Sequence, residues 1–471
     1  MRPTVADVLR REHVTGQPAS GIPDSPSGDT RQQTVIVGGT VVTMNAAREI
    51  VQADVLIDAD GTIAALLPPG SAVPAAARVV DAAGCYVTPG LVQAHMHLCQ
   101  TLFRGLAEER PLLAWLRERI WPLEAAHDHA SLRASAQLGI AELLLTGTTA
   151  LLDMGTVHHT DALFEVAEAS GIRYTGGQAL MDRGEGVPPG LSQPTSEALA
   201  ESDALFARWD GAAGGRLRYA YTPRFILSCT ADLMEAVVER AKRGARVHTH
   251  ASEQQEELAV VRAEIGRGDL EYFAEIGLTG PWLVLAHGVW FDDAGLSELA
   301  RSGSHVTHCP ASNLKLASGL APVRAMLDRG INVALGSDGA ACSNTLDGWQ
   351  QLWLSALIAA AREGAGTLSA REAFEIATVG GARALGLADQ IGSVEVGKRA
   401  DLLVVDARAH LPNGDAYTTL VYSCRGTDVR TVLVDGQIVV HERQLLTLDV
   451  AAVRAEAIVA RDALVIRAGL A

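Results

Sequence analysis

A chain of 471 residues is long enough for one large domain with a smaller companion, and 48% hydrophobic and 20% charged residues exclude a disordered or fibrous protein. The net charge of -16, without a run of Lys and Arg, disfavours nucleic acid or an anionic membrane as the main partner. Six scattered cysteines and a polar N-terminus without a signal-peptide core predict a cytoplasmic protein.

The two ends of the chain differ from its middle. Residues 1–32 are rich in turn formers, which predicts a flexible arm. Residues 33–88 and 389–445 contain short β-branched runs broken by Gly, Asn and Asp, as expected of strands. Because they flank a different middle, we expect both to join in one small β-sandwich domain. Residues 446–471 are predicted to form a C-terminal helix.

The middle of the chain, residues 89–388, alternates short apolar runs with longer, alanine-rich amphipathic segments. This βα repetition over about 300 residues predicts an α/β fold, a (β/α)8 TIM-like barrel. In such barrels the chemistry lies at the carboxyl ends of the strands. Polar residues that close apolar runs are therefore the candidate site residues.

Histidines and acids close several of these runs. His95 and His97 end the first run, and their one-residue spacing lets both imidazoles point to the same side of a strand. Three later runs end in residues 247–253, in His287 and in Asp338. Three neutral histidine nitrogens, one of them from the fifth-strand region, and one carboxylate would bind a metal ion and leave a position open for water.

Five motifs follow one another in a family order: Pro-Gly-Leu-Val-Gln-Ala-His-Met-His (89–97), His-Thr-His-Ala-Ser-Glu (248–253), His-Cys-Pro-Ala-Ser-Asn-Leu-Lys-Leu-Ala-Ser-Gly (308–319), Gly-Ser-Asp-Gly (336–339) and Gly-Lys-Arg-Ala-Asp-Leu (397–402). With them the chain resembles the amidohydrolase superfamily from about Val35 to about Glu442. Within it the resemblance is to aminohydrolases, namely guanine and 8-oxoguanine deaminases, chlorotriazine hydrolases, and deaminases of methylthioadenosine, S-adenosylhomocysteine and 5′-deoxyadenosine.

The resemblance implies one divalent metal ion, expected to be Zn²⁺ with Fe²⁺ as the alternative, bound by His95, His97, His250 and Asp338. His248 is expected to support the site. Many relatives with two metals carry a bridging lysine at the end of the fourth strand, and Leu217 to Arg224 contains none. A site for one metal follows.

The resemblance also implies hydrolytic deamination, in which a metal-activated water attacks an aromatic ring carbon that bears an amino group. Asp338 takes the proton of the water. Glu253, in the family pattern His-x-x-Glu, gives a proton to the adjacent ring nitrogen and then helps ammonia leave. His287 resembles the histidine that stabilises the developing charge on the substrate.

Two features point to different substrates. Gln100 and the pair Arg224-Phe225 resemble guanine deaminase, in which glutamine and arginine read the purine edge and phenylalanine packs on the ring. Glu124, in Trp-Pro-Leu-Glu, resembles the glutamate with which deaminases of methylthioadenosine and S-adenosylhomocysteine bind the ribose hydroxyls. The arginines that those enzymes direct at a charged tail have no clear match, which favours a small 5′ group.

The predicted substrate is therefore an adenosine-type purine nucleoside: 5′-deoxyadenosine first, then methylthioadenosine, S-adenosylhomocysteine and adenosine. Deamination of guanine or 8-oxoguanine and hydrolysis of s-triazines are the alternatives, and a non-catalytic structural relative is a remote one. The expected partners are this small purine and further copies of the chain, in a dimer or tetramer, with neither nucleic acid nor membrane.

Overall fold

A computed structural model describes residues 32–470, so the predicted arm lies, apart from Gln32, outside the described residues. Eight parallel strands form a barrel: β1 (Leu91–Met96), β2 (Thr148–Met154), β3 (Arg173–Gly177), β4 (Leu217–Pro223), β5 (Arg246–Ala251), β6 (Leu283–His287), β7 (His305–His308) and β8 (Val333–Leu335). Neighbours in this order pair with each other, and β8 pairs with β1 to close the barrel. The predicted (β/α)8 barrel is confirmed.

The barrel strands are buried on both faces, as parallel strands in such folds are. Every residue of β1 and β2 is buried. One buried cluster joins side chains of five strands, which lie on different sides of the barrel and meet only inside it: Val92, Ala94, Ala150, Leu152, Ala220, Val284 and Ala334. The interior is therefore a packed core, and the space for a ligand lies beyond it, at the strand ends.

Helices surround the barrel and alternate with its strands. The α-helices are Leu112–Trp115, Trp121–Ala125, His129–Leu145, Asp161–Ser170, Thr195–Trp209, Ala212–Gly215, Ala231–Lys242, Gln255–Ile265, Asp269–Glu275, Asp293–Ser302, Pro310–Lys315, Val323–Asp328, Ala340–Ser343, Gly348–Glu363, Ala370–Glu375, Gly381–Ala384, Ala416–Thr418 and Val450–Arg467. The 3-10 helices are Leu98–Phe103, Pro189–Leu191, Ile226–Ser228, Arg408–His410 and Gly426–Asp428, and π-helices span Leu116–Ile120, Ile376–Gly380 and Thr419–Ser423. Within residues 32–470, no helix combines the length and the apolar character that crossing a membrane requires.

The ends of the described chain form two further sheets, of which the first contains N-terminal strands alone and the second contains strands from both ends. One contains Thr34–Val37, Asp54–Ile57, Ile63–Leu67 and Arg78–Asp81, and the other contains Thr40–Val42, Ile50–Gln52, Tyr86–Pro89, Leu402–Val405, Val429–Val434, Gln437–His441 and Gln444–Leu445. Leu402 lies opposite Pro89 in an antiparallel pair. The sheets share one buried core, so the predicted small β domain from both chain ends is confirmed. The residue bounds given above for the domains stay predictions.

A buried ion pair ties β3 to this β domain. Arg173 donates to the two carboxylate oxygens of Asp401 at 2.8 and 3.0 Å, and a third bond reaches Asp435 at 3.3 Å. The side chains of Arg173 and Asp401 are 2% and 1% exposed. A charge buried this deeply depends on its partner, so this contact fixes how the barrel meets the β domain.

Candidate metal centre and active site

The predicted site residues meet at the carboxyl ends of the barrel strands. His95 lies near the end of β1 and His97 just after it, His250 lies in β5, His287 ends β6, and Asp338 follows β8. Ligand atoms of His95, His97 and Asp338 lie within 4.8 Å of one another, as do those of His95, His250 and His287. The structure thus brings together residues from four strands that are far apart in sequence.

Backbone carbonyls set the tautomers of two of these histidines. Nδ1 of His97 donates to the carbonyl of Met154 at 2.9 Å, and Nδ1 of His250 donates to the carbonyl of Arg224 at 2.7 Å. In the neutral rings Nε2 then carries a lone pair, and the two Nε2 atoms are 3.2 Å apart. Facing lone pairs repel unless a cation or a proton lies between them, so this pair suits a metal ion.

The third histidine, His95, is oriented in the same sense through His248. Nδ1 of His248 donates to the carbonyl of Val284 at 3.0 Å, which makes its Nε2 an acceptor for Nδ1 of His95 at 2.7 Å. Nε2 of His95 is buried, makes no hydrogen bond within the described residues and lies 3.3 Å from Oδ1 of Asp338. His248 thus contacts a predicted ligand, and its supporting role stays a prediction.

The spacing of these atoms fits a tetrahedral ion. Oδ1 of Asp338 is 3.3 Å from Nε2 of His95 and 3.5 Å from Nε2 of His97. Ligand atoms bound at about 2.1 Å around a tetrahedral metal are separated by about 3.4 Å. Three nitrogen lone pairs and a carboxylate oxygen are the ligand types that zinc-like ions prefer, so the donor set and its spacing both fit one divalent metal.

The protonation states also suit a metal. Burial lowers the pKa of His95 to about 4, that of His97 to about 3 and that of His250 well below its ordinary value, which keeps the rings neutral. Burial raises the pKa of Asp338, but attraction to the protonated form of the adjacent imidazoles, His95 first, outweighs burial and holds the pKa of this carboxyl well below its usual range. A bound cation would supply the same attraction to an ionised Asp338 while the rings stay neutral. Neutral nitrogens and an ionised carboxylate are the forms in which these groups bind metals.

A second acid lies beside the predicted metal ligands. Oε2 of Glu253 is 3.5 Å from Nε2 of His287, which in turn is 3.9 Å from Oδ2 of Asp338. Burial, together with the nearby carboxylate of Asp338, raises the pKa of Glu253 well above its ordinary value. Glu253 therefore retains its proton at a higher pH than an exposed glutamate does, while Asp338 gives its proton up.

A small cavity, about 30 Å³ in volume, opens over these groups. The predicted residues Gln100, Arg224 and Phe225 line it, and its outer wall is apolar, with Leu112, Trp115, Leu116 and Leu316. This lining is typical of a small-molecule site, in which apolar walls hold the ligand and a few polar groups orient it.

Glu124 does not line this cavity. It is fully buried behind Arg224, and both terminal nitrogens of Arg224 donate to its two carboxylate oxygens, one of them at 3.1 Å. The side-chain amide of Gln100 donates to the same carboxylate at 2.9 Å. One buried network therefore contains Gln100, Arg224 and Glu124. In the sequence, the first two resemble residues of guanine deaminase and the third resembles a ribose-binding glutamate. The contact of Glu124 with substrate stays a prediction.

Three polar residues of the segment after β7 contact residues of the site. These contacts were not predicted from the sequence. The hydroxyl of Ser312 donates to Oδ2 of Asp338 at 2.6 Å, and Nδ1 of His287 donates to Oδ1 of Asn313 at 2.9 Å. The hydroxyl of Ser318 donates to Oε1 of Glu253 at 3.4 Å. The motif 308–319 contains all three, but nothing in its pattern distinguishes contact with the site from a role in the loop.

Comparisons with known proteins agree with this geometry. The model of the Amidohydrolase family matches residues 86–439. The chain is 40% identical over 443 residues to a 5-methylthioadenosine/S-adenosylhomocysteine deaminase of Halobacterium salinarum, covering 92% of this chain and 98% of the relative. It is 38% identical over 395 residues to a 5′-deoxyadenosine deaminase of Methanosarcina acetivorans, covering 83% and 89%. The crystal structure of an adenosine deaminase from Xanthomonas campestris with bound zinc matches with a TM-score of 0.86 and 32% identity, over 92% and 98% of the two chains.

Proposed function

The chain belongs to the amidohydrolase family and is a hydrolase of carbon–nitrogen bonds, and we propose that it deaminates an adenosine-type purine nucleoside to ammonia and the inosine analogue. The observation that carries the proposal is the pairing of a metal-binding set with a carboxyl, Glu253, that keeps its proton beside an ionised one, Asp338. Relatives named as deaminases of methylthioadenosine, S-adenosylhomocysteine and 5′-deoxyadenosine support the substrate class.

The metal would be held by Nε2 of three histidines and by one carboxylate, with Zn²⁺ as the proposed ion and Fe²⁺ as the alternative: His95, His97, His250 and Asp338. When bound, such an ion lowers the pKa of a coordinated water to near 7, which makes hydroxide available at neutral pH. The carbonyls of Met154 and Arg224 hold two of the imidazoles in the tautomer that binding needs.

The protein residues divide the proton transfers between them. Oδ1 of Asp338 faces the histidine nitrogens, while Oδ2 faces His287 and accepts the Ser312 hydroxyl, so Oδ2 is the basic atom for the proton of the water. Glu253 carries the proton for the ring nitrogen and, once ionised, accepts one that leaves with ammonia. His287, held through Nδ1 by Asn313, directs Nε2 at the space between the two acids.

The cavity lining favours a small, uncharged 5′ group. Among the described residues, Arg224 is the one lysine or arginine that lines the cavity, and Glu124 already pairs with it. The charged tail of S-adenosylhomocysteine would lose water against the apolar wall of Leu112, Trp115 and Leu116 without a compensating partner. We therefore place 5′-deoxyadenosine first, methylthioadenosine next, and S-adenosylhomocysteine and adenosine below them.

Ammonia release from a substrate panel tests the proposal. The panel contains 5′-deoxyadenosine, methylthioadenosine, S-adenosylhomocysteine, adenosine, guanine, 8-oxoguanine and a chlorotriazine, each with the zinc-loaded and the iron-loaded enzyme. We expect the highest kcat/KM for 5′-deoxyadenosine. Gln100, Arg224 and Phe225 on the cavity wall favour guanine as the second candidate. Turnover of guanine with no turnover of any nucleoside would replace the proposal by that candidate.

A further inference from the structure

Glu253 belongs to a tight turn, residues 252–254, which connects β5 to the helix Gln255–Ile265 and is called here the Glu253 turn. Ser252 has a φ of 51°, in the left-handed region that residues other than glycine rarely adopt. A serine stays in this conformation only where its surroundings hold it. The groups that bind the turn therefore decide where the carboxyl of Glu253 points.

Two buried carboxyl groups bind the backbone of the Glu253 turn. Asp269, at the start of the helix Asp269–Glu275, accepts the N–H of Ser252 with one oxygen and the hydroxyl of Ser252 with the other at 2.8 Å. Oε2 of Glu257 accepts the N–H of Glu253 at 3.2 Å and that of Gln254 at 3.3 Å. Asp269 and Glu257 are 3% and 2% exposed, so water does not compete for these bonds.

The opposite side of the turn is bound to the segment after β6. The carbonyl of Ser252 accepts the N–H of Val289 at 2.9 Å and that of Trp290 at 3.1 Å. These residues follow His287, whose Nε2 lies 3.5 Å from Oε2 of Glu253. Every polar group of Ser252 is thus bonded, and one connected unit sets the position of Glu253 relative to His287.

We infer that Asp269 is a positioning residue for proton transfer by Glu253, through its two bonds to Ser252. Asp269 does not line the cavity over the metal-binding set, so it acts on the reaction only through the turn. Both side-chain oxygens of Asp269 accept a hydrogen bond from Ser252, whereas an asparagine at this position has only one acceptor oxygen. The substitution therefore removes one bond to Ser252 and places an amide N–H of the asparagine against a donor group of Ser252. The inference rests on the proposed deamination, because Glu253 is assigned its role there.

The test compares Asp269→Asn with Asp54→Asn on 5′-deoxyadenosine. Asp54 is a matched control: it is 2% exposed, its oxygens accept the N–H groups of Gly38 at 2.8 Å and Gly70 at 3.0 Å, and it lies in the β domain. A displacement of about 1 Å in a catalytic group costs on the order of 100-fold in rate. We expect Asp269→Asn to lower kcat about 10- to 100-fold, with KM changed less than about twofold and metal content unchanged. Asp54→Asn should lower the unfolding temperature and leave kcat per bound metal unchanged.

A second, smaller substitution keeps the inference testable if Asp269→Asn does not fold. Ser252→Ala removes only the hydroxyl bond to Asp269 and keeps the backbone bond, so we expect a several-fold loss of kcat in a normally stable protein. Unchanged kcat in both Asp269→Asn and Ser252→Ala would overturn the inference, as would an equal loss of kcat in Asp54→Asn. If the unaltered chain deaminates no substrate of the panel, the proposed function has failed, and crystal structures then decide: an unmoved Glu253 carboxyl in Asp269→Asn overturns the positioning role.

Discussion

Replacing Glu124 by alanine tests the buried network behind the cavity. Arg224 is 3% exposed and loses both of its carboxylate bonds in Glu124→Ala, while the amide of Gln100 loses a third. Removing one partner of a buried ion pair costs about 3–5 kcal/mol, because the other charge is left buried without compensation. If about 1.4 kcal/mol of that loss also raises the activation free energy of deamination, kcat/KM for 5′-deoxyadenosine falls about tenfold.

Two readouts separate stability from substrate contact. The urea midpoint should fall in Glu124→Ala and recover in the double variant Glu124→Leu/Arg224→Met, because an apolar pair of similar volume leaves no buried charge. Activity should not recover in the double variant, since Arg224 lines the cavity. An unchanged urea midpoint together with unchanged deamination of 5′-deoxyadenosine in Glu124→Ala would refute the network argument and the nucleoside assignment alike.

Four further predictions concern the metal, the pH dependence of activity, the pH dependence of stability and the domain contact. Chelation should abolish ammonia release and added Zn²⁺ should restore it, and metal analysis should find one ion per chain; full activity of the metal-free protein would contradict this. Because burial raises the pKa of Glu253, kcat should fall as the pH rises through that raised value, and an identical high-pH limb in Glu253→Gln would contradict the assignment. Burial lowers the pKa of His127 to about 4, so its folded form binds fewer protons than the unfolded chain between about pH 6.5 and 4. As the pH falls through that window, His127 alone should cost the metal-free protein about 3 kcal/mol of stability, in addition to the loss from the buried histidines of the site, and the loss in His127→Gln should be smaller by about that amount. Arg173→Ala leaves the carboxylate of Asp401 buried and unpaired and should cost about 3–5 kcal/mol in unfolding free energy, with kcat of the folded fraction unchanged.

Local sequence patterns were sufficient to predict the barrel and the positions of the proposed metal-binding residues. Strand and helix periodicity depend on neighbours in the chain, and a polar residue that closes an apolar run in a parallel barrel must lie at the face where the other strand ends also lie. His95, His97, Asp338 and one histidine of the fifth strand could therefore be grouped before their distances were known. The family resemblance, through its pattern His-x-x-Glu, implied His250 rather than His248 as the ligand and Glu253 as the proton carrier.

Contacts between distant segments could not be predicted in this way. Glu124 and Arg224 are separated by 100 positions, and whether their charges pair or both face a ligand depends on how the helix Trp121–Ala125 packs over the end of β4. The same holds for Asp269 and Ser252, which are 17 positions apart. No periodicity encodes such pairs.

Composition, periodicity and motif order thus predict the fold class, the reaction class and the proposed metal ligands of this chain. Each of these depends on residue type and on spacing along a strand or helix, which are local properties. Tertiary packing alone decides the tautomers, the state of Glu253 beside Asp338, and the pairing of Glu124 with Arg224. Those depend on which backbone carbonyls, charges and apolar walls surround each side chain, and only the closed barrel places them there.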